Sequence, residues 1–212
     1  TFHIALRDAA GTGHLLKAQT AASVTCEATA DRVVHRFHFA DPEAEVVTRA
    51  EVVDGAVQFT LQVRAVDAGA VIGEVIYPFL TSMGRPEGDQ PDDYVLYPYA
   101  SGRRMTPRRP AYTWGGGNAY PSAYCTMQMV GYHLQEGRCL YATTPDPLCY
   151  TKTYLYGGDG QSFYWGFNHF PEEMWHTTEY ATPYPVRFKL VPGDWYDLAR
   201  EYRQWALQQW WV

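Results

Sequence analysis

Residues 51–65, EVVDGAVQFTLQVRA, decide how the rest of the chain is read. Val57, Phe59, Leu61 and Val63 alternate with Gln58, Thr60, Gln62 and Arg64. That period of two sets one face of a strand on a core and the other in water. Asp54-Gly55 stands between this run and the β-prone residues before it. Both residues tolerate positive φ, as a two-residue hairpin turn requires, so the flanking runs are predicted to pair antiparallel.

The rhythm continues on either side. Alternation recurs at FHIAL (2–6) and VVHRFHF (33–39), and AVIGEVIYPFL (70–80) reads as a strand ending at Pro78, which cannot donate to a ladder. GRPEGDQPDD (84–93) reads as a solvated loop. CTMQMVGYHL and RCLYATT around QEG form a second hairpin, and YTKTYLY and QSFYWGF around GGDG a third. No helical period precedes residue 194. Roughly ten to thirteen strands with short turns predict an all-β fold of packed antiparallel sheets rather than a βαβ arrangement. All seven Trp lie at or after Trp114, yet the rhythm does not change there and no linker intervenes. The expected organisation is one β-sandwich over residues 1–192, followed by a helix over 193–212.

That last segment, GDWYDLAREYRQWALQQWWV, has a different period. Asp194 sits where an N-cap belongs. Trp195, Leu198, Ala199, Tyr202, Trp205, Ala206 and Gln209 recur at the spacing of one helical face, with Asp197, Arg200, Glu201, Arg203 and Gln204 opposite. Trp210 and Trp211 are large apolar rings that call for a covering surface.

Composition narrows the function classes. A chain of 212 residues with 46% hydrophobic and 19% charged residues is predicted to pack a globular core. Its formal charge of -6 gives no general attraction for nucleic acid or anionic membrane, so neither is expected as a partner. No uninterrupted apolar run reaches the ~18 residues of a spanning helix, and no signal-peptide pattern opens the chain, which leaves the compartment open. The chain begins at Thr1 and stops within the aromatic segment, so both ends read as cut. Cys26, Cys125, Cys139 and Cys149 show neither a CxxC pair nor zinc spacing, and ordinary buried thiols are expected in preference to disulfides.

The run GDWYDLAREYRQWALQQWW carries a resemblance, together with YPFL (77–80), LYPYASGRRM (96–105), YPSAYCTMQMVGYHLQEGRCLYATTPDP (120–147) and VRFKLVPGDW (186–195). It resembles the N-terminal region of large glycoside-hydrolase-like proteins. In these a β-supersandwich similar to galactose mutarotase precedes a (β/α)8 barrel, and a helix of this pattern joins them. The likeness covers about residues 70 to 212 and is strongest in the closing segment; Arg138-Cys139 departs from the small residue pair common in the family. The resemblance implies a connector helix, a barrel after Val212, catalytic carboxylates on that barrel, and an accessory role for this chain, with no catalytic residue of its own.

Several side chains are candidates for contact with carbohydrate, which uses aromatic rings against sugar faces and polar groups on the hydroxyls. YTWGGGNAYPSAY (112–124) offers Trp114, Asn118, Tyr120 and Tyr124 on a glycine-rich loop, or the same rings pack the sheet. FNHFPEEMWHTTEY (167–180) gathers Asn168, His169, Glu172, Glu173, Trp175, His176 and Glu179, either a binding segment or a solvated surface loop. Adjacent Glu172 and Glu173 would point to opposite sides of an extended chain and so could not flank one glycosidic bond. Asp146 and Lys152 could bond a sugar from the sheet end, or Asp146 could mark a plain turn. Arg103, Arg104, Arg108 and Arg109 could hold an anion or balance the acidic loop nearby. His35 and His38 fall on opposite strand faces, and no metal and no cofactor is expected. Two alternatives stay open: an aldose epimerase of mutarotase type using His169 or His133 with Glu172 as acid and base, and a free-standing carbohydrate-binding module.

Overall fold

The computed structural model describes residues 1–83, 93–100, 102–105, 114–122, 124–134, 137–158 and 162–212. Its strands in chain order are β1 (His3–Arg7), β2 (Gly13–Lys17), β3 (Ser23–Ala28), β4 (Arg32–Ala40), β5 (Glu43–Val53), β6 (Ala56–Ala65), β7 (Val71–Met83) and β8 (Tyr94–Tyr97). There follow β9 (Arg103–Met105), β10 (Trp114–Tyr120), β11 (Met129–Leu134), β12 (Arg138–Thr143), β13 (Lys152–Gly158), β14 (Phe163–His169), β15 (Glu179–Ala181) and β16 (Val186–Pro192), then helix α1 (Trp195–Ala206). The fold is an antiparallel β-sandwich, as the alternation predicts. The chain forms two compact units, Thr1–Phe79 with Gly166–Pro185, and Leu80–Trp165 with Val186–Val212.

In the first unit, β3, β4, β5 and β6 make one antiparallel sheet, with β15 also paired to β6, while β1 pairs with β2 and β7. Phe2, Ile4, Leu6, Leu16, Ile72 and Val75 from one layer close on Phe39, Val46, Leu61 and Val63 from the other. Burying such side chains stabilises by roughly 1.5–3 kcal/mol each, which fixes the register because a one-residue slip would turn them all to water. The Asp54-Gly55 turn is the predicted hairpin: Val53 pairs with Ala56, and the two turn residues have φ of 51° and 72°. Pro78 does not end its strand. The Tyr77-Pro78 bond is cis and β7 runs on to Met83; Phe79 takes over the ladder, its N–H donating to Thr1 O at 2.8 Å.

In the second unit the order β9-β8-β11-β12-β16 forms one sheet, and β10 pairs with β13 in the other, where β13 neighbours β14. Aromatic side chains fill the layer: Tyr97 packs on Tyr156 with centroids 4.3 Å apart, Tyr132 on Phe163 at 4.8 Å, and Trp165 on Phe188 at 6.5 Å. The glycine-rich stretch expected as a loop is strand β10, in register from Trp114↔Gly158 to Tyr120↔Lys152. Glycine is needed there for close packing: a Cβ on Gly117 would run into the Leu155 and Thr153 side chains.

Helix α1 lies on the opposite face of β11, β12 and β16. Leu198, fully buried, packs with Met129, Cys139, Tyr141 and Val191, flanked by Leu96 and Tyr202. Asp194 caps it as expected: its carboxylate accepts from Tyr196 N at 2.8 Å, and Asp197 Oδ2 accepts from Asp194 N at 3.1 Å. The predicted face is half-buried at Ala199, Tyr202, Trp205, Ala206 and Gln209, but Trp195 is exposed. Regular helix also stops at Ala206 instead of running to the last residue. Residues 207–211 are turns, and the Gln209 side chain donates to Trp205 O at 2.8 Å, satisfying a terminal carbonyl that a continuing helix would have bonded. All four cysteines are free; Cys125 and Cys139 are buried and Cys149 half-buried, while Cys26 departs from the buried pattern and faces solvent.

Candidate functional site

Three of the candidate residues meet in the second unit. The β10–β13 register sets Tyr120 opposite Lys152, and the segment after β12 brings in Asp146. Lys152 Nζ donates to Asp146 Oδ2 at 2.5 Å and to Gln128 Oε1 at 2.9 Å, and it lies 5.2 Å from the centroid of the Tyr120 ring. Gln128 Nε2 donates to Asp146 O at 2.9 Å, closing the circuit. Asp146 also caps its own loop, accepting from Leu148 N at 2.9 Å and Tyr150 N at 2.6 Å. Asp146 is 1% and Lys152 2% exposed. Burial lowers the Lys152 pKa to about 8, against the upward pull of Asp146, and burial, reinforced by the Cys149 thiol, raises that of Tyr120.

This cluster is built as a closed polar knot: donors and acceptors are spent on one another, and no face of it meets solvent in the present conformation. Gln128 was not singled out from the sequence, although a lone amide within the apolar run CTMQMVGYHL is the signal that could have found it. Asn118, two residues before Tyr120 and opposite Tyr154, is half-buried and hydrogen-bonded to Tyr97. Trp114 opens β10, and its side chain lies outside the described residues. Tyr124 is exposed and packs on Tyr99 at 5.5 Å. Arg103 and Arg104 stack on the rings of Tyr99 and Tyr94, each at 4.0 Å. Arg108, Arg109 and the acidic loop 84–92 lie outside the described residues.

The second group, in the first unit, is not one cluster. His169 is fully buried at the end of β14; its Nε2 donates to Tyr77 O at 2.7 Å, which leaves Nδ1 to accept from the Tyr184 hydroxyl at 3.1 Å. Both ring nitrogens are thus engaged by other groups, and neither is free to exchange a proton with a sugar. Glu172 and Glu173 are exposed, and they occupy a turn, not the extended chain expected: His176 N donates to Glu173 O at 2.9 Å. Trp175, at φ of 67°, lies over Gly73, where any Cβ would strike its six-membered ring, and the Arg7 guanidinium sits 4.1 Å from its centroid. Its ring is therefore already engaged with protein partners. Asn168 donates to Glu74 Oε2 at 2.9 Å. His133, the other histidine considered for acid–base work, stacks on Tyr94 with centroids 4.6 Å apart in the second unit.

Two surface features remain. An open depression of about 400 Å³ on the first unit is lined by Glu45, Val47, Gln62, Val63, Arg64, Glu179, Tyr180 and Ala181. Arg64 bonds Glu45 there at 2.8 Å and holds the Glu45 carboxyl below the usual range. The other feature is the outer side of α1 and the turns after it, where Trp195 is 46%, Tyr196 58% and Trp210 78% exposed. The Trp210 indole N–H donates to Pro147 O at 2.9 Å, so its ring is held in place while it faces solvent. Among the described residues no group of three His, Cys, Asp or Glu side chains is placed to hold a metal, and no helix is long and apolar enough to cross a membrane.

No family model and no curated protein matches the chain. Solved structures do. The α-N-acetylgalactosaminidase NagBb from Bifidobacterium bifidum, in its GalNAc complex, aligns over 97% of this chain with a TM-score of 0.69 at 18% identity. The same enzyme with Gal-NHAc-DNJ gives a TM-score of 0.70 at 18% identity, and its ligand-free form 0.66 at 16%. The match covers 33% of the enzyme, its N-terminal β-sandwich region, so the chain spans about a third of the length of that neighbour. At this identity the likeness establishes the fold.

Proposed function

We propose that this chain is an accessory, carbohydrate-associated β-sandwich domain of a glycoside hydrolase, packed against a catalytic (β/α)8 barrel that follows Val212 and helping to shape the active site of that barrel. One observation carries the reading. Helix α1 is capped and anchored on β11, β12 and β16 by Leu198, while Trp195, Tyr196 and Trp210 stand outward from the same segment. Exposed aromatic surface held by a rigid anchor suits docking, because the ordering cost is already met in the free domain. The fold of a glycoside hydrolase's N-terminal region supports the same placement.

Catalysis by the chain itself has less support. The epimerase reading needs a histidine able to exchange a proton beside Glu172, whereas the ring nitrogens of His169 are bonded to Tyr77 and Tyr184. The polar trio Tyr120, Asp146 and Lys152 acts in this account as an internal brace of the second unit, while Asn118 of that unit and the exposed Glu172 of the first unit remain proposed sugar contacts.

Expression of the complete coding region that contains these residues, beside residues 1–212 alone, tests the proposal with a panel of p-nitrophenyl glycosides that includes the α-N-acetylgalactosaminide. Hydrolysis by the longer chain and none by residues 1–212 is expected. Turnover by residues 1–212 alone, or a coding region that stops at Val212, would overturn it.

A further inference from the structure

Strand β3 is an unguarded sheet edge. All six of its residues, Ser23 to Ala28, are exposed, and among the described residues its ladder partner is β4. Natural edges are blunted by proline, lysine, bulges or short length. SVTCEA has none of these over six residues in unbroken register with β4. The phase of the ladder follows from two bonds, Thr29 N to Arg32 O at 2.8 Å on the β3 side of β4, and Val52 N to Asp31 O at 2.8 Å on its other side. Antiparallel pairs alternate between bonded and non-bonded, so Ser23, Thr25 and Glu27 spend their backbone groups on β4. The N–H and C=O groups of Val24, Cys26 and Ala28 therefore point away from the sheet.

We infer that β3 is a pairing edge for a second copy of this chain, joined antiparallel about a two-fold axis at Cys26. The occupant follows from the side chains. With Cys26 opposite its own copy, Val24 faces Ala28 and Thr25 faces Glu27, so apolar groups meet on one side of the joined sheet and no like charges meet on the other. Shifting the register so that Cys26 faces Ala28 sets Glu27 against Glu27, which is repulsive. Shifting it the other way, so that Cys26 faces Val24, pairs as many β3 residues but sets Thr25 against Thr25 and leaves Ala28 without a partner in β3. Arg36, 3.7 Å from Glu27 within each copy, sets an opposite charge beside that carboxylate at the seam. Val24 is 56% exposed and on the same sheet face as Phe37, so pairing would extend the apolar inner surface of the sheet. A two-fold pair also consumes both edges, which closes the assembly instead of propagating it.

Sedimentation of residues 1–212 gives the test. A reversible dimer is expected, cross-linked through Cys26 by a bismaleimide with a two-carbon spacer. Cys26→Pro removes an N–H that faces away from β4, a position where edge proline is tolerated, and is expected to weaken the dimer at least about tenfold with the far-ultraviolet circular dichroism unchanged. Because Thr25 is exposed, substitutions there keep the test open even if the proline variant misfolds: Thr25→Lys, opposite Glu27, should tighten the dimer and Thr25→Glu should loosen it. A chain that stays monomeric at about 0.5 mM, an open-ended polymer, or a dimer indifferent to all three substitutions overturns the inference.

Discussion

Leu198 of α1 occupies the space that a side chain on Gly131 of β11 would need. The contact sets the distance of the helix from the sheet, since a Cβ at position 131 would overlap Leu198 Cδ1. Gly131→Ala is therefore expected to lift the helix and cost about 1 to 3 kcal/mol through overpacking. Leu198→Ala should cost about 2 to 5 kcal/mol by leaving a cavity. Urea unfolding of both variants checks this, and a Gly131→Ala protein as stable as the parent would show that the helix is not seated on that glycine.

The buried pair Lys152–Asp146 should behave as a unit. Removing one charge strands the other away from water, so Lys152→Met or Asp146→Asn should each cost about 3 to 5 kcal/mol. The double variant should cost less than the sum of the two, because neither charge is then left alone. A double-mutant cycle in urea reads the coupling, and additive losses would mean that the two side chains act independently.

Strand positions were more legible in the chain than the environment of its polar groups. The Asp54-Gly55 hairpin could be read because turn chemistry is local, and the Asp194 cap for the same reason. Pro78 reads as a strand end because its missing N–H is a local property, whereas the Phe79–Thr1 bond that resumes the ladder joins residues 78 apart. The triple glycine reads as a loop because glycine is common in loops, whereas Gly117 lies in a strand where a side chain would meet Leu155 and Thr153. Tyr120 reads as a ring for sugar contact and Asp146 and Lys152 as sugar-bonding groups, but their closure around Gln128 depends on the β10–β13 register, which no local pattern encodes. His169 likewise looked reactive in the sequence and is held by Tyr77 and Tyr184, from distant segments.

Alkaline pH should destabilise the fold. Burial pushes the Cys125 thiol up to about 12, Cys139 to about 11 and Tyr77 to about 12. In each case the folded form holds its proton more tightly than the unfolded chain, so this stability is complete below the ordinary thiol and phenol values and is lost as pH rises through the folded ones. Lys152, lowered to about 8, works the other way, adding stability between that value and its ordinary 10.5. The buried acids outnumber it. The urea midpoint should fall between about pH 9.5 and 11, once the thiols of the unfolded chain ionise, and fall more steeply in Lys152→Met. Equal midpoints across that range would contradict the assignment.

Trp175 and Gly73 provide a separate check on the first unit. Gly73→Ala would place a methyl group in the Trp175 ring and is expected to displace it from beside Arg7, at a cost of about 1 to 3 kcal/mol. The near-ultraviolet circular dichroism of tryptophan should change with it; an unaltered spectrum and stability would mean that the ring is free to move aside.

The docking role proposed for α1 and the turns that follow it can be measured as an affinity. The barrel proposed to follow Val212, produced separately, is titrated with residues 1–212 by isothermal calorimetry. Association is expected, with a negative heat-capacity change from apolar burial, weakened at least about tenfold by Trp195→Ala with Trp210→Ala. No association, or one that the two substitutions leave unchanged, would contradict the account.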